Sequence, residues 1–97
     1  MPSASRLGDS SAGHGCFPPT PINGGCVGSV LINGIPAAIS GSTHPDHKCG
    51  RTTHSGRTVS AGSGSVKIGG SPAARIGDAI SCGDSMAAGS GSVFIGG

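Results

Sequence analysis

Four histidines (His14, His44, His47, His54) and four cysteines (Cys16, Cys26, Cys49, Cys82) are the residues of this 97-residue chain best equipped for chemistry. Three imidazoles and one thiolate make a closed tetrahedral zinc site, with Zn–N about 2.0 Å and Zn–S about 2.3 Å. Such a site leaves no position for water, so the metal would be structural. No C-x-x-C pair is present, and the spacing is not that of a zinc finger. Materials for catalysis are thin. Asp9, Asp46, Asp78 and Asp84 are the only carboxylate side chains, and neither a Gly-x-Ser-x-Gly elbow nor a phosphate loop occurs. Asp9 and Asp78 each follow Gly and read as turn formers, so the chain is expected not to be an enzyme.

The bulk composition narrows the classes further. The formal charge is +2, the basic residues are scattered apart from a loose group at 48–57, and Phe17 and Phe94 are the only large aromatics. A nucleic-acid surface needs a basic stripe with stacking rings, so no nucleic-acid partner is expected. No run reaches the roughly 18–20 apolar residues of a membrane span, and no charged-then-apolar leader opens the chain. The expectation is a single domain, 1–97, without an effector extension, made in the cytoplasm. The cysteines then read first as thiols or metal ligands, with Cys16 and Cys26 pairing only under oxidation. Twenty glycines and few large side chains leave a weak core, which a structural metal would supplement by about 10 kcal/mol or more.

The elements that must position these ligands are repeats. Gly64-Ser-Val-Lys-Ile-Gly-Gly-Ser-Pro-Ala-Ala-Arg-Ile-Gly-Asp78 reads as a hairpin, with Val66 and Ile68 alternating about Lys67 and Gly69-Gly70 forming the turn. Gly28–Ala38 repeats the frame with Asn33-Gly34 as its turn, and Gly91–Gly97 repeats the first half. The missing return lies at the other end, where Pro2–Asp9 resembles Pro72–Asp78 with one residue inserted. Three units completed in this circular way predict an all-β, pseudo-threefold cone of short hairpins with irregular loops and a metal-stabilised apex. Val30/Ile32, Val66/Ile68 and Val93/Ile95 would face inward, and Leu31, Lys67 and Phe94 outward. No helix of ordinary length is expected, although a helical turn fits Gly83–Ala88.

Loops that follow the three return strands should converge at one end. These connectors, 10–27, 39–63 and 79–90, place His14, His44 and Cys82 at corresponding points, and His54 stands where the middle one turns back. His14, His44, His54 and Cys82 are therefore the preferred metal set. A local cluster of His44, His47, Cys49 and His54 competes with it.

The words Ser71-Pro-Ala-Ala-Arg-Ile-Gly-Asp78, Ile35-Pro-Ala-Ala38 and Ser3-Ala-Ser-Arg-Leu-Gly-Asp9, with Gly13-His14-Gly15 and Ser81-Cys82-Gly83, resemble the proline-alanine-alanine-arginine (PAAR) repeat family over essentially the whole chain. The resemblance implies a non-enzymatic cap on the trimeric valine-glycine-repeat spike of type VI secretion systems and related contractile injection machines. One copy would sit on each trimer, sharpen it for membrane puncture and help attach effector proteins. It further implies one zinc ion on three His and one Cys, carried over to His14, His44, His54 and Cys82. The protein would be monomeric when isolated and leave the bacterial cytoplasm through the apparatus. Ile39-Ser-Gly-Ser42 departs from the Arg-Ile-Gly-Asp word, which bears on the choice between His44 and His47. Two other readings stand beside this one: a small zinc-dependent hydrolase and a disulfide-stapled secreted module.

Overall fold

Six short strands pair antiparallel as three hairpins: β1 (Val27–Ile32) with β2 (Ile35–Ala37), β3 (His47–Cys49) with β4 (Thr52–His54), and β5 (Lys67–Ile68) with β6 (Ser71–Pro72). The computed structural model describes residues 1–96, over which the fold is all-β without a helix. Gly97, the last residue of the expected third strand, lies outside the described residues. The body is elongated, 38 × 23 × 21 Å.

Two hairpins turn where the sequence places them. Asn33 and Gly34 have φ of 54° and 79°, and Gly69 and Gly70 have 59° and 83°. Positive φ at both central residues is what a two-residue turn matched to strand twist requires, and Asn-Gly and Gly-Gly supply it. The third unit is assembled from the two ends of the chain. Ser3 bridges Phe94, the Ala4 N–H donates to Val93 O at 2.9 Å, and the Ile95 N–H donates to Pro2 O at 2.8 Å. The β3–β4 hairpin belongs to none of these units and lies in what sequence alone makes a connector.

Pseudo-threefold symmetry is written in the backbone hydrogen bonds. Ser5 N donates to Ala74 O, Ala74 N to Ala38 O and Ala38 N to Ser5 O, at 3.0, 3.0 and 3.1 Å, a closed ring of three. A second ring runs from Leu7 N to Pro36 O, Ser40 N to Pro72 O and Ile76 N to Ser3 O, at 3.0, 2.9 and 3.0 Å. This register aligns Ser3, Pro36 and Pro72 without a gap and removes the insertion expected near Pro2. Ala4, Ala37, Ala73 and Ala74 are completely buried, as is Ser5, because three backbones converge there and leave room for a Cβ and little more.

The loop word is preserved physically where it is lost in letters. Asp9 Oδ2 accepts from Arg6 N at 2.7 Å, Asp78 Oδ2 from Arg75 N at 2.7 Å, and Ser42 Oγ from Ile39 N at 2.9 Å. Gly8, Gly41 and Gly77 precede them with φ of 89°, 102° and 91°. Ser42 thus closes the middle turn without the Arg–carboxylate pair that Arg6–Asp9 and Arg75–Asp78 add at 3.0 Å each. Asp78→Ser is accordingly expected to lose only a partly exposed ion pair, at most about 1 kcal/mol. Asp78→Ala should lose about 1–3 kcal/mol because the Arg75 N–H is left without its acceptor. Urea midpoints of the two variants check this.

The core forms two layers. One contains Ala4, Ile32, Ala37, Ile68, Ala73 and Ile95, with Val27, Ile39, Val66 and Val93 at its margin. The other contains Ile22, Ala38, Val59, Ala74, Ile80 and Met86. Ile32, Ile68 and Ile95 face inward as expected, and Leu31, Lys67 and Phe94 are exposed. Val30 does not face inward; it is 37% exposed. The register of β1 shifts between Val27 and Leu31, so Val27 pairs with Ala37 and packs on the core in its place. Gly83–Ala88 is not helical either. Met86 N donates to Asp78 O at 2.9 Å and Met86 O accepts from Gly77 N at 2.8 Å, which commits this segment to extended pairing with the Gly77-Asp78 turn.

Candidate metal centre at the apex

The β3–β4 hairpin places two histidines side by side. His47 and His54 are Cα partners in its register, and Gly50, with φ of 61°, takes the first of two turn positions, where tight hairpins favour glycine. His14 rides on a separate turn, in which His14 N donates to Phe17 O at 3.2 Å and Phe17 N to His14 O at 2.9 Å. Cys82 sits in a third loop closed by Gly83 N on Ile80 O (3.0 Å) and Ile80 N on Asp84 O (2.8 Å). One ligand atom from each of His14, His47, His54 and Cys82 lies within 4.8 Å of the others.

The donor set and its protonation suit a metal. The Pro18 carbonyl can only accept, so its 3.0 Å contact fixes the proton of His47 on Nδ1 and leaves the Nε2 lone pair aimed at the cluster. His47 Nε2 lies 3.0 Å from His54 Nδ1 and 3.8 Å from Cys82 Sγ, and His14 Nε2 lies 3.9 Å from the same sulfur. Around a tetrahedral zinc these separations would be ~3.3 Å between nitrogens and ~3.6 Å between nitrogen and sulfur. Burial, then the His14, His47 and Arg57 charges, lower the His54 pKa and favour the neutral form that ligates. Phe17 stacks on His54 at 3.9 Å and on His14 at 4.9 Å, holding both ring planes.

The PAAR-motif profile matches residues 12–85 and again 49–97, the second match beginning about one unit further along. The chain belongs to the PAAR-motif family. No curated protein matches it.

In this PAAR chain His44, expected as a ligand, is placed elsewhere, and His47 stands in the cluster instead. Thr43 bridges both Gly24 and Thr58, and the His44 N–H donates to Arg57 O at 3.0 Å, which turns its side chain inward below the apex. His44 is 4% exposed, its Nδ1 meets Thr20 O at 3.1 Å, and its Nε2 has no partner among the described residues. Burial lowers its pKa against the opposing pull of the Thr20 carbonyl, which favours the neutral form of this core histidine. Cys49 is bonded to Cys16, with Cα atoms 5.4 Å apart, so neither Cys49 as a ligand nor a Cys16–Cys26 pair is realised. Cys26 is a free, half-buried thiol beside Ser42.

Arg57 is the residue of the PAAR apex that sequence reasoning missed. Its Nε donates to Cys82 Sγ at 3.0 Å, one terminal nitrogen meets Thr20 Oγ1 and Pro45 O, and the other meets Asp84 Oδ2 at 2.8 Å. One fully buried guanidinium therefore ties all three connectors together. Burial alone would raise the Asp84 pKa, but the Ser11 hydroxyl, the Ser85 N–H and the Arg57 charge outweigh it and hold the carboxyl below its ordinary value. In the sequence Arg57 is only one of a loose basic group. The β3–β4 hairpin did leave a signal, a two-residue Gly-Arg turn followed by Thr52-Thr53.

The His14 turn depends on two glycines unequally. A Cβ on Gly13, where φ is 75°, would lie 2.7 Å from Phe17 O and 3.0 Å from Pro19 N, whereas one on Gly15, with φ of 55°, meets open space. Gly15→Ala is expected to cost about 1–2 kcal/mol for its left-handed backbone. Gly13→Ala should cost more and displace His14, so metal per chain should fall for Gly13→Ala and hold for Gly15→Ala.

Proposed function

We propose that this PAAR protein is the non-enzymatic tip of a type VI secretion spike, seated as one copy on a trimeric valine-glycine-repeat protein. The observation that carries this reading is the pair of three-membered hydrogen-bond rings, which gives a single chain the symmetry of a trimeric partner. Three unequal edges can then meet three equal ones, with strand edges at the base extending the partner's sheets. Leu31, Lys67 and Phe94 occupy equivalent exposed positions and supply a different contact to each subunit.

At the other end, His14, His47, His54 and Cys82 would hold one zinc ion. The ion would serve as a structural cross-link between three loops, and Arg57 and Pro18 would orient Cys82 and His47. The apex would meet the target membrane first, after export from the bacterial cytoplasm, and effector proteins would dock on the flank. The test is to mix the purified chain, a monomer in isolation, with a purified spike trimer and weigh the complex by native mass spectrometry. One chain per trimer is the expected result. No complex, or three chains per trimer, overturns the reading.

A further inference from the structure

Cys16 lies two residues after His14, and Cys49 lies two residues after His47 on β3. The bond between them therefore joins the turn that carries one ligand to the hairpin that carries two others, across a sequence separation of 33. The His14–Phe17 hydrogen bonds are internal to that turn. Its outside ties at the hairpin are the Pro18 carbonyl on His47, the stacking of Phe17 on His54 and the disulfide, of which only the disulfide is covalent, and Ala12 N on Ser85 O anchors its base at 2.8 Å. Gly13 and Gly15, both in the left-handed region, flank His14 and let the turn pivot once a tie is cut. His54 and Cys82 have no such dependence, since β3–β4 pairing holds one and Arg57 holds the other.

We propose that Cys16 and Cys49 form a redox clasp that sets how fast the apex exchanges its metal. This rests on the reading of His14, His47, His54 and Cys82 as metal ligands. As thiols, the two cysteines leave His14 held over the hairpin by the Phe17 stack and the Pro18 hydrogen bond alone, ties weak enough to open, so that the site loads and unloads. As a disulfide, they hold His14 over the hairpin and lock the site. The closing step is exchange with a small-molecule disulfide. The Cys16 and Cys49 thiols together give up two protons and two electrons, a sulfur–sulfur bond forms between them, and the small disulfide leaves as two thiols. Cys16 is exposed and Cys49 half-buried, so such a reagent reaches them. A chain made under reducing conditions and exported to an oxidising space would pass from the exchanging to the locked state without any change in its ligands.

The experiment uses the full chain loaded with zinc, kept reduced with a phosphine or oxidised with oxidised glutathione, then challenged with excess colorimetric chelator. Thiol counts under denaturing conditions should be four and two, the latter from Cys26 and Cys82. Zinc release from the oxidised protein is expected to be at least tenfold slower. The Cys16→Ser/Cys49→Ser variant should release zinc at the reduced rate under both treatments. Zinc bound in both states but released at rates within twofold overturns the clasp alone. A serine variant that still slows on oxidation also overturns it. Absence of zinc from both states removes the metal reading and the clasp with it.

Discussion

His47→Ala is expected to abolish stoichiometric metal binding, and His44→Ala to leave it at one ion per chain. The two histidines are three positions apart, yet only His47 faces the cluster, with Nε2 3.0 Å from His54 Nδ1 and 3.8 Å from Cys82 Sγ. Losing even an orienting partner of a ligand typically weakens a site about 10–100-fold, so loss of the ligand itself should exceed about 100-fold. Because structural zinc contributes on the order of 10 kcal/mol to small folds, His47→Ala should also lower the unfolding midpoint more than any loop substitution. His44→Ala empties a buried position beside Thr20 and is expected to destabilise the protein by about 1–3 kcal/mol without metal loss. Elemental analysis with chelator competition separates the two. Full metal occupancy in His47→Ala, or metal loss confined to His44→Ala, would return the ligand to position 44.

Arg57→Ala carries the second large effect. The Arg57 and Asp84 side chains are both 0% exposed and 2.8 Å apart. Removing one member of a buried pair strands the other charge and costs about 3–5 kcal/mol, whereas replacing both with apolar groups is often close to neutral. Arg57→Ala should therefore unfold the protein at a much lower urea concentration, and Arg57→Met/Asp84→Leu should recover a substantial part of the loss. The guanidinium also bonds Thr20, Pro45 and Cys82, so recovery should be incomplete. Both effects should persist after the metal is stripped, because this network holds the connectors independently of any ion. A metal-stripped Arg57→Ala as stable as the metal-stripped parent would show that the ion alone holds the apex.

The sequence made the cone legible because its symmetry is carried by short-range chemistry. Asn33-Gly34 and Gly69-Gly70 can form their turns without help from the rest of the fold, and alternation at Ile32, Ile68 and Ile95 marks the inward face. The apex was legible only in part. His14, His54 and Cys82 follow from where the loops converge, but His44 against His47 depends on three residues of path through Pro45, which Thr43 fixes by bridging two distant segments. The role of Arg57 depends on partners 12 to 37 residues away, and no local pattern encodes it. Val30 was misplaced because a register shift inside β1 breaks the two-residue period on which strand reading depends.

The pairing of Ser3 with Phe94 bears on how the protein reaches this structure. The β1–β2 and β5–β6 units close over two-residue turns and can form early, since their loop-closure entropy is small. The remaining unit requires the two extremities of the chain to find each other, and both rings of three stay open until they do. Folding should therefore be limited by that seam, and substitutions at Ala4 or Val93 should slow it. Joining the ends and reopening the chain at Gly69–Gly70 would move the seam to a different unit, and the slow positions should move with it.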